Sequence, residues 1–158
     1  ESIRGPRRFV TTASTYVTTV FGCGVRDRCG TPVVLRRGWD NPDAKRGEGG
    51  PWGYDKIRHK HGIWNLYTIN KYFKGLCPAR MEGTDRIYET PIYEAFRTND
   101  GKTIGTGRSF ELRAVIETTK FLPGASETRG VKTMFPLRES NDYSDVVPQW
   151  FNLEKGLD

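Results

Sequence analysis

Residues 9–21, FVTTASTYVTTVF, string β-branched and aromatic side chains together and predict a strand, with a break near Ala13 and Ser14. TPVVLRR at 31–37 predicts a second strand, and GWDNPDAKRGEGG at 38–50 is polar and turn-rich, a loop. The pattern then changes period. In PWGYDKIRHKHGI, residues 51–63, Tyr54, Ile57 and His61 recur at steps of three and four, as on one face of a helix. Pro51 suits the first helical position and Gly62 the residue just past the end, which gives a helix of about three turns.

Beyond Gly62 the pattern is less regular. Residues 65–76 read as a further short helix or a mixed segment, and CPARMEGTDR as a connector. RIYETPIYEAF at 86–96 does not resolve into one element, because Pro91 argues against an uninterrupted run. RTNDGKTIGTG at 97–107 carries turn chemistry at Asn99-Asp100-Gly101. SFELRAVIETTKFL at 109–122 is the clearest strand, and GVKTMFPL at 130–137 returns after PGASETRG as its hairpin partner. A helix-containing middle followed by antiparallel strands predicts a small single α+β domain. We divide it into an N-terminal extension of strands and a loop packed on the domain (1–49), a core (50–137) and a charged tail (138–158) docked by Trp150 and Phe151.

Composition refines this picture. Apolar residues are only 35% of the 158-residue chain while aromatics are 12%, so the core must lean on rings. With 25 Lys and Arg against 19 Asp and Glu, the net charge of +6 favours an anionic partner: nucleic acid, an acidic protein or a membrane surface. No apolar run reaches the roughly 18 residues a spanning helix needs. The chain opens ESIRGPRRF, without an apolar signal segment, and reads as the middle of a longer protein or a mature fragment. Of the three cysteines, Cys23 and Cys29 flank GVRDR, a loop that a disulfide could close on export; three free thiols are the alternative. No CxxC pair is present, which disfavours zinc.

Both histidines, His59 and His61, lie in the predicted helix beside Lys56, Arg58 and Lys60. Two residues of helix rotate by about 200°, so the imidazoles diverge and cannot share a metal ion. His61 falls at the helix end, at the edge of the packed side, whereas His59 shares a wet face with Lys56 and Lys60. A helix C-terminus favours the imidazolium, and a half-buried histidine can exchange protons near neutral pH. A boundary histidine that only bonds a carbonyl is the plain alternative.

GYDKIRHKHG at 53–62 resembles the helix reading G-(aromatic)-x-(Lys/His)-Ile-x-x-(Lys/Arg)-His-Gly of bacterial polymorphic toxin nucleases. These are contact-dependent inhibition and secreted toxin C-terminal domains of the barnase/EndoU/colicin E5/RelE type of fold. The strand pair FELRAVIE and VKTMFP resembles that group's closing strands, with Arg113, Thr133, Phe135 and Pro136 in matching places. The resemblance covers residues 50–137, leaves 63–108 unaligned and finds no counterpart for 1–49. Lys56 stands where several relatives carry a further histidine.

The resemblance implies RNA cleavage, tRNA among the candidate substrates, without metal or cofactor: the 2′-hydroxyl attacks the adjacent phosphodiester and leaves a cyclic phosphate. Such chemistry needs a base, an acid and donors for the phosphorane oxygens. It points to His61, Arg113, Thr133 and Lys56 as catalytic. Lys132, Arg108 and His59 follow for phosphate, and Tyr54 and Trp52 as stacking surfaces with Trp64 and Tyr67 nearby. Lys132 and Thr133 are neighbours on a strand and face opposite sides unless it is bulged there. The resemblance also implies delivery into a target cell as the C-terminal part of a larger exported protein, and a cognate immunity protein, acidic to match +6. A non-catalytic RNA-binding or interaction module fits the charge and aromatics equally, and a toxin acting on NAD is a third reading.

Overall fold

The computed structural model describes residues 20–21, 25–40, 51–120, 128–137 and 145–153. Strand β1 (Val20–Phe21) pairs with β2 (Leu35–Arg36), and two helices follow, α1 (Gly53–His61) and α2 (Leu66–Lys74). β3 (Arg80–Glu82), β4 (Asp85–Arg97), β5 (Thr103–Lys120) and β6 (Thr128–Leu137) then form an antiparallel sheet in the order β3-β4-β5-β6. A 3-10 turn, Gln149–Leu153, closes the described chain. The result is the α+β arrangement the sequence predicts, with two helices and a four-stranded antiparallel sheet.

One face of that sheet is the core. Tyr88, Leu112, Ala114, Ile116, Val131 and Met134 are buried together with Ile57, Ile63, Ile69, Tyr72 and Phe73 from the helical segment. Aromatic edges fill the centre: Phe73 meets Tyr88 at 5.1 Å, nearly perpendicular, and Tyr72 at 5.3 Å. The Tyr72 hydroxyl also donates to the Leu112 carbonyl at 2.7 Å, fixing α2 on β5.

α1 ends where the sequence predicts. Gly62 takes φ +69, and the amides of Gly62 and Ile63 return to Arg58 and Ile57 carbonyls. A Cβ there would also stand 2.7 Å from Val146 Cγ1. The start differs: Trp52 is the N-cap and Gly53 the first helical residue, so Pro51 lies outside. For 65–76 the helical reading holds, because the Asn65 side chain accepts the Tyr67 amide as a cap.

The strands are longer than expected. The connector CPARMEGTDR contains β3, turned tightly on Gly83 into β4. RIYETPIYEAF is continuous, and the reason is topological. β3 pairs only with Asp85–Ile87, so from there β4 is the sheet edge among the described strands. Ile87 turns its carbonyl towards β3, where it accepts the Ala79 amide. By strand alternation residues 89, 91 and 93 turn their polar groups to the same side, and the missing N–H of Pro91 falls where none of the described strands runs. The turn of the next hairpin is confined to 98–102, closed by the Thr98 and Lys102 backbones, and TIGTG belongs to β5.

Residues 25–40 pack on the domain closely enough that Val33 and Leu35 enter the core. The Val131 amide donates to the Val34 carbonyl at 2.9 Å, and Gly130, at φ +78, leaves room for that approach, which a Cβ would block. Buried Asp27 accepts the Tyr88 hydroxyl at 2.7 Å and the amides of Cys29 and Thr31. Burial pushes its carboxyl up, but these bonds outweigh burial and hold it below the ordinary value. The disulfide runs from Cys29 to Cys77, not to Cys23, because the Arg28 amide bonded to the Leu76 carbonyl brings the loop against the end of α2. In the tail, Trp150 and Phe151 dock edge-on to Phe110 at 5.4 and 5.7 Å. The predicted strand before Val20, the loop at 41–50, the turn at 121–127 and the stretch 138–144 lie outside the described residues.

The Cys29–Cys77 bridge closes a separation of 48 residues. Replacing both cysteines by alanine is expected to lower the unfolding free energy by about 2–4 kcal/mol, measured by urea denaturation, without loss of the folded state, because Asp27 still pins the loop.

Candidate active site at the seam of α1 and β6

His61 is 4% exposed at the C-terminal end of α1. Its Nδ1 lies 2.8 Å from the Asp145 carbonyl oxygen, and the Val147 amide donates back to the His61 carbonyl at 3.0 Å. A carbonyl can only accept, so Nδ1 carries the proton and Nε2 the lone pair. Burial lowers the imidazole pKa below its ordinary value; the Asp145 carbonyl opposes this, and Lys56 and Lys60 reinforce it. The helix-end argument for an imidazolium therefore loses to desolvation, which favours the neutral ring.

The His61 ring rests 5.9 Å from the Phe135 ring, and the Arg113 guanidinium sits over the same ring at 5.8 Å. Phe135 thus links the helix end to the sheet face opposite the helices. Register places Glu89, Arg113 and Phe135 abreast across β4, β5 and β6 on that face. Arg113 donates to Glu89 Oε1 through Nε at 2.6 Å and Nη2 at 2.5 Å, and Arg80 Nη2 donates to the same oxygen at 3.0 Å. The Arg80 bond, opposed by burial and joined by Arg113, holds the Glu89 carboxyl below the ordinary carboxylate value.

β6 is bulged where the sequence argument required it. Val115 pairs with Thr133 and Ile116 with Val131, so Lys132 is the extra residue. Lys132 Nζ reaches Asp85 at 3.7 Å, and Asp85 shares the face of Glu89 and, through register, of Arg113 and Thr133. Lys132 and Thr133 therefore face the same way. Thr133 is 8% exposed, and its Oγ1 has no hydrogen-bond partner among the described residues. Lys56 approaches from α1: burial first, then the charges of Lys60 and Lys132, lower its pKa, against the pull of Asp40.

Other expected contributors are engaged elsewhere. His59 is exposed and bridges Asp40, at 3.0 Å from Nδ1, and Arg58, whose Nη2 lies 2.9 Å from Nε2. Trp52 is buried with Arg129 stacked on it at 5.1 Å, so its ring is not a free platform for a base. The Tyr54 hydroxyl donates to the Trp64 carbonyl at 2.8 Å, which ties the two ends of α1 together. Arg108 pairs with Glu94, five residues along β5 from Arg113, or about 16 Å at strand rise. Glu89, Arg80 and Asp145 were not anticipated. Among the described residues, no three His, Cys, Asp or Glu converge as metal ligands, and no helix is long and apolar enough to cross a membrane.

Compared with protein-family models, with curated proteins and with solved structures, the chain shows no match.

The lowered pKa of His61 makes stability depend on pH. The unfolded chain takes up this proton near the ordinary value of 6.5 while the native state resists it. Stability is therefore full above 6.5 and falls as pH drops below it, until the folded imidazole charges. Denaturation of the wild type and of His61→Gln between pH 7.5 and roughly 4.5 should show this slope in the wild type only; parallel profiles would contradict the buried neutral ring.

Proposed function

We propose that this chain is a toxin domain that cleaves RNA by metal-independent transesterification, built on the barnase/EndoU/colicin E5/RelE type of fold. The observation that carries the reading is a buried imidazole, neutral by desolvation and oriented through Nδ1, near the cations Lys56 and Lys60 and in ring contact with β6, the strand whose Thr133 hydroxyl is buried without a partner among the described residues. Helices gathered on one face of an antiparallel sheet, with ionic side chains on the other, accord with that fold.

In this reading His61 Nε2 takes the proton of the 2′-hydroxyl as it attacks phosphorus. Lys56, its pKa already lowered, donates a proton to the departing 5′-oxygen. Lys132 and the edge of Arg113 turned away from Glu89 hold the nonbridging oxygens, and Thr133 Oγ1, without a partner among the described residues, donates a hydrogen bond to one of them. Glu89 holds Arg113 in place through two of its donors. The products are a cyclic phosphate and a free 5′-hydroxyl. A domain of this kind is delivered by a larger exported protein and requires an immunity protein in its producer, acidic to complement +6.

Purified protein incubated with total RNA in EDTA should cleave it, and His61→Ala should lower the rate at least about a hundredfold, the usual worth of a general acid or base. Intact RNA that is nevertheless tightly bound would replace this reading with that of a binding module, and consumption of NAD with that of an NAD-directed toxin.

Thr133→Val provides an independent check. Among the described residues its hydroxyl makes no hydrogen bond, so the denaturation midpoint should hold or rise. RNA cleavage should fall about tenfold, matching the loss of one hydrogen bond of ordinary strength, about 1–1.5 kcal/mol. An unchanged rate would remove Thr133 from the site.

A further inference from the structure

A second concave site lies on the other side of the sheet edge. β3 fills the position beside β4 only opposite Asp85–Ile87. From there to Arg97 the position is vacant among the described strands, and α2 runs alongside. Between them is a groove of about 830 Å³, walled by Thr68, Tyr72 and Gly75 on one side and by Ile92, Tyr93 and Phe96 on the other. Tyr93 is 71% and Phe96 51% exposed.

Three properties of the groove identify its occupant. By the alternation set by Ile87, Tyr93 turns its N–H and carbonyl, and Pro91 its carbonyl, towards the vacancy. Thr68, only 4% exposed, lines the wall, and its Oγ1 has no hydrogen-bond partner among the described residues. Lys71 and Arg97, both exposed, stand on the rim, while the carboxylate of Glu94 is engaged by Arg108. Backbone donors and acceptors in strand spacing match another backbone, apolar walls match alternate side chains, and cations at the rim match negative charge.

We propose that this groove receives an extended segment of an acidic partner protein, which adds to the sheet beside β4 as a fifth strand. Main-chain bonds to the edge supply affinity, and the groove between β4 and α2 reads every second side chain. Pro91 offers no N–H, so the added strand pairs there through the Pro91 carbonyl and through Tyr93, which discourages indiscriminate edge pairing. The site does not depend on RNA cleavage: Trp150 and Phe151 at its end come from the tail segment that also carries Asp145, but none of His61, Arg113, Lys132 and Thr133 lines it.

A displayed library of random dodecapeptides, panned on the folded protein, tests this. The expected winners have net negative charge and alternating apolar positions, and they shift the amide signals of Tyr93, Ala95 and Lys71. Gly75→Leu should weaken them at least tenfold. A Cβ at Gly75 meets only backbone oxygens at 3.6 and 3.8 Å, ordinary contact distances, so this variant fills the groove while the amide spectrum elsewhere stays native. Arg97→Glu should weaken them comparably and shift selection towards basic peptides. Absence of enriched peptides, equal binding to Gly75→Leu, or displacement of the winners by single-stranded oligouridylate would overturn the proposal. RNA cleavage by Gly75→Leu at the wild-type rate is expected, so failure of this site and failure of the catalytic reading remain separable.

Discussion

Four hydrogen bonds converge on one buried amide, that of Asn152. Its Oδ1 accepts the backbone N–H groups of Trp64 and Asn65, and its Nδ2 donates to the Gly62 carbonyl and to Gln149. The linker between α1 and α2 would otherwise leave three part-buried backbone groups unmatched, each costly to the extent that water is kept from it. Because the amide comes from the end of the chain, the same bonds tie residues 145–153 across both helices. That tie holds the Asp145 carbonyl against His61. The tautomer of the imidazole is thus set by a contact more than 80 residues away in sequence, and Asn152 is the peg that keeps it there.

The site draws on elements that differ in rigidity. α1 is fixed at its end by Gly62, which admits Val146 where any side chain would collide. β6 contributes a bulge, and that irregularity brings Lys132 and Thr133 to one face. Arg113 lies on the longest strand and is braced by Glu89 and Arg80. Glu89 both restrains Arg113 and competes with any other anion for it, so the guanidinium is oriented but partly occupied. Lys132 is likewise paired, with Asp85; Lys56 differs, because after burial the charges that lower its pKa are the cations Lys60 and Lys132, a repulsion that a bound anion would relieve.

Much of the local structure was legible. The period of Tyr54, Ile57 and His61, with Gly62 behind them, specified α1, and alternation specified β5 and β6. What escaped was long-range register. Counting back from the turn, Arg97 opposite Thr103 would place Glu89 opposite Glu111, a repulsive pair with no chemistry. The irregularity after Tyr93 slips the pairing by two residues and brings Glu89 opposite Arg113 instead. No spacing in either strand announces that slip. Cys77 escaped for a related reason, since it reaches Cys29 only once α2 has folded back, and Pro91 misled because edge position is a property of the sheet rather than of the segment.

β5 is packed under helices along one part of its length and carries exposed side chains on both faces from Thr103 to Ser109. Its two halves therefore belong to different regimes of opening. Amides around Leu112 and Ala114 exchange with solvent only when the whole domain comes apart, whereas those between Thr103 and Ser109 are released by fraying of a two-stranded ribbon that leaves the body intact. A single unbroken strand thus joins a permanent part of the molecule to one that opens and closes on its own.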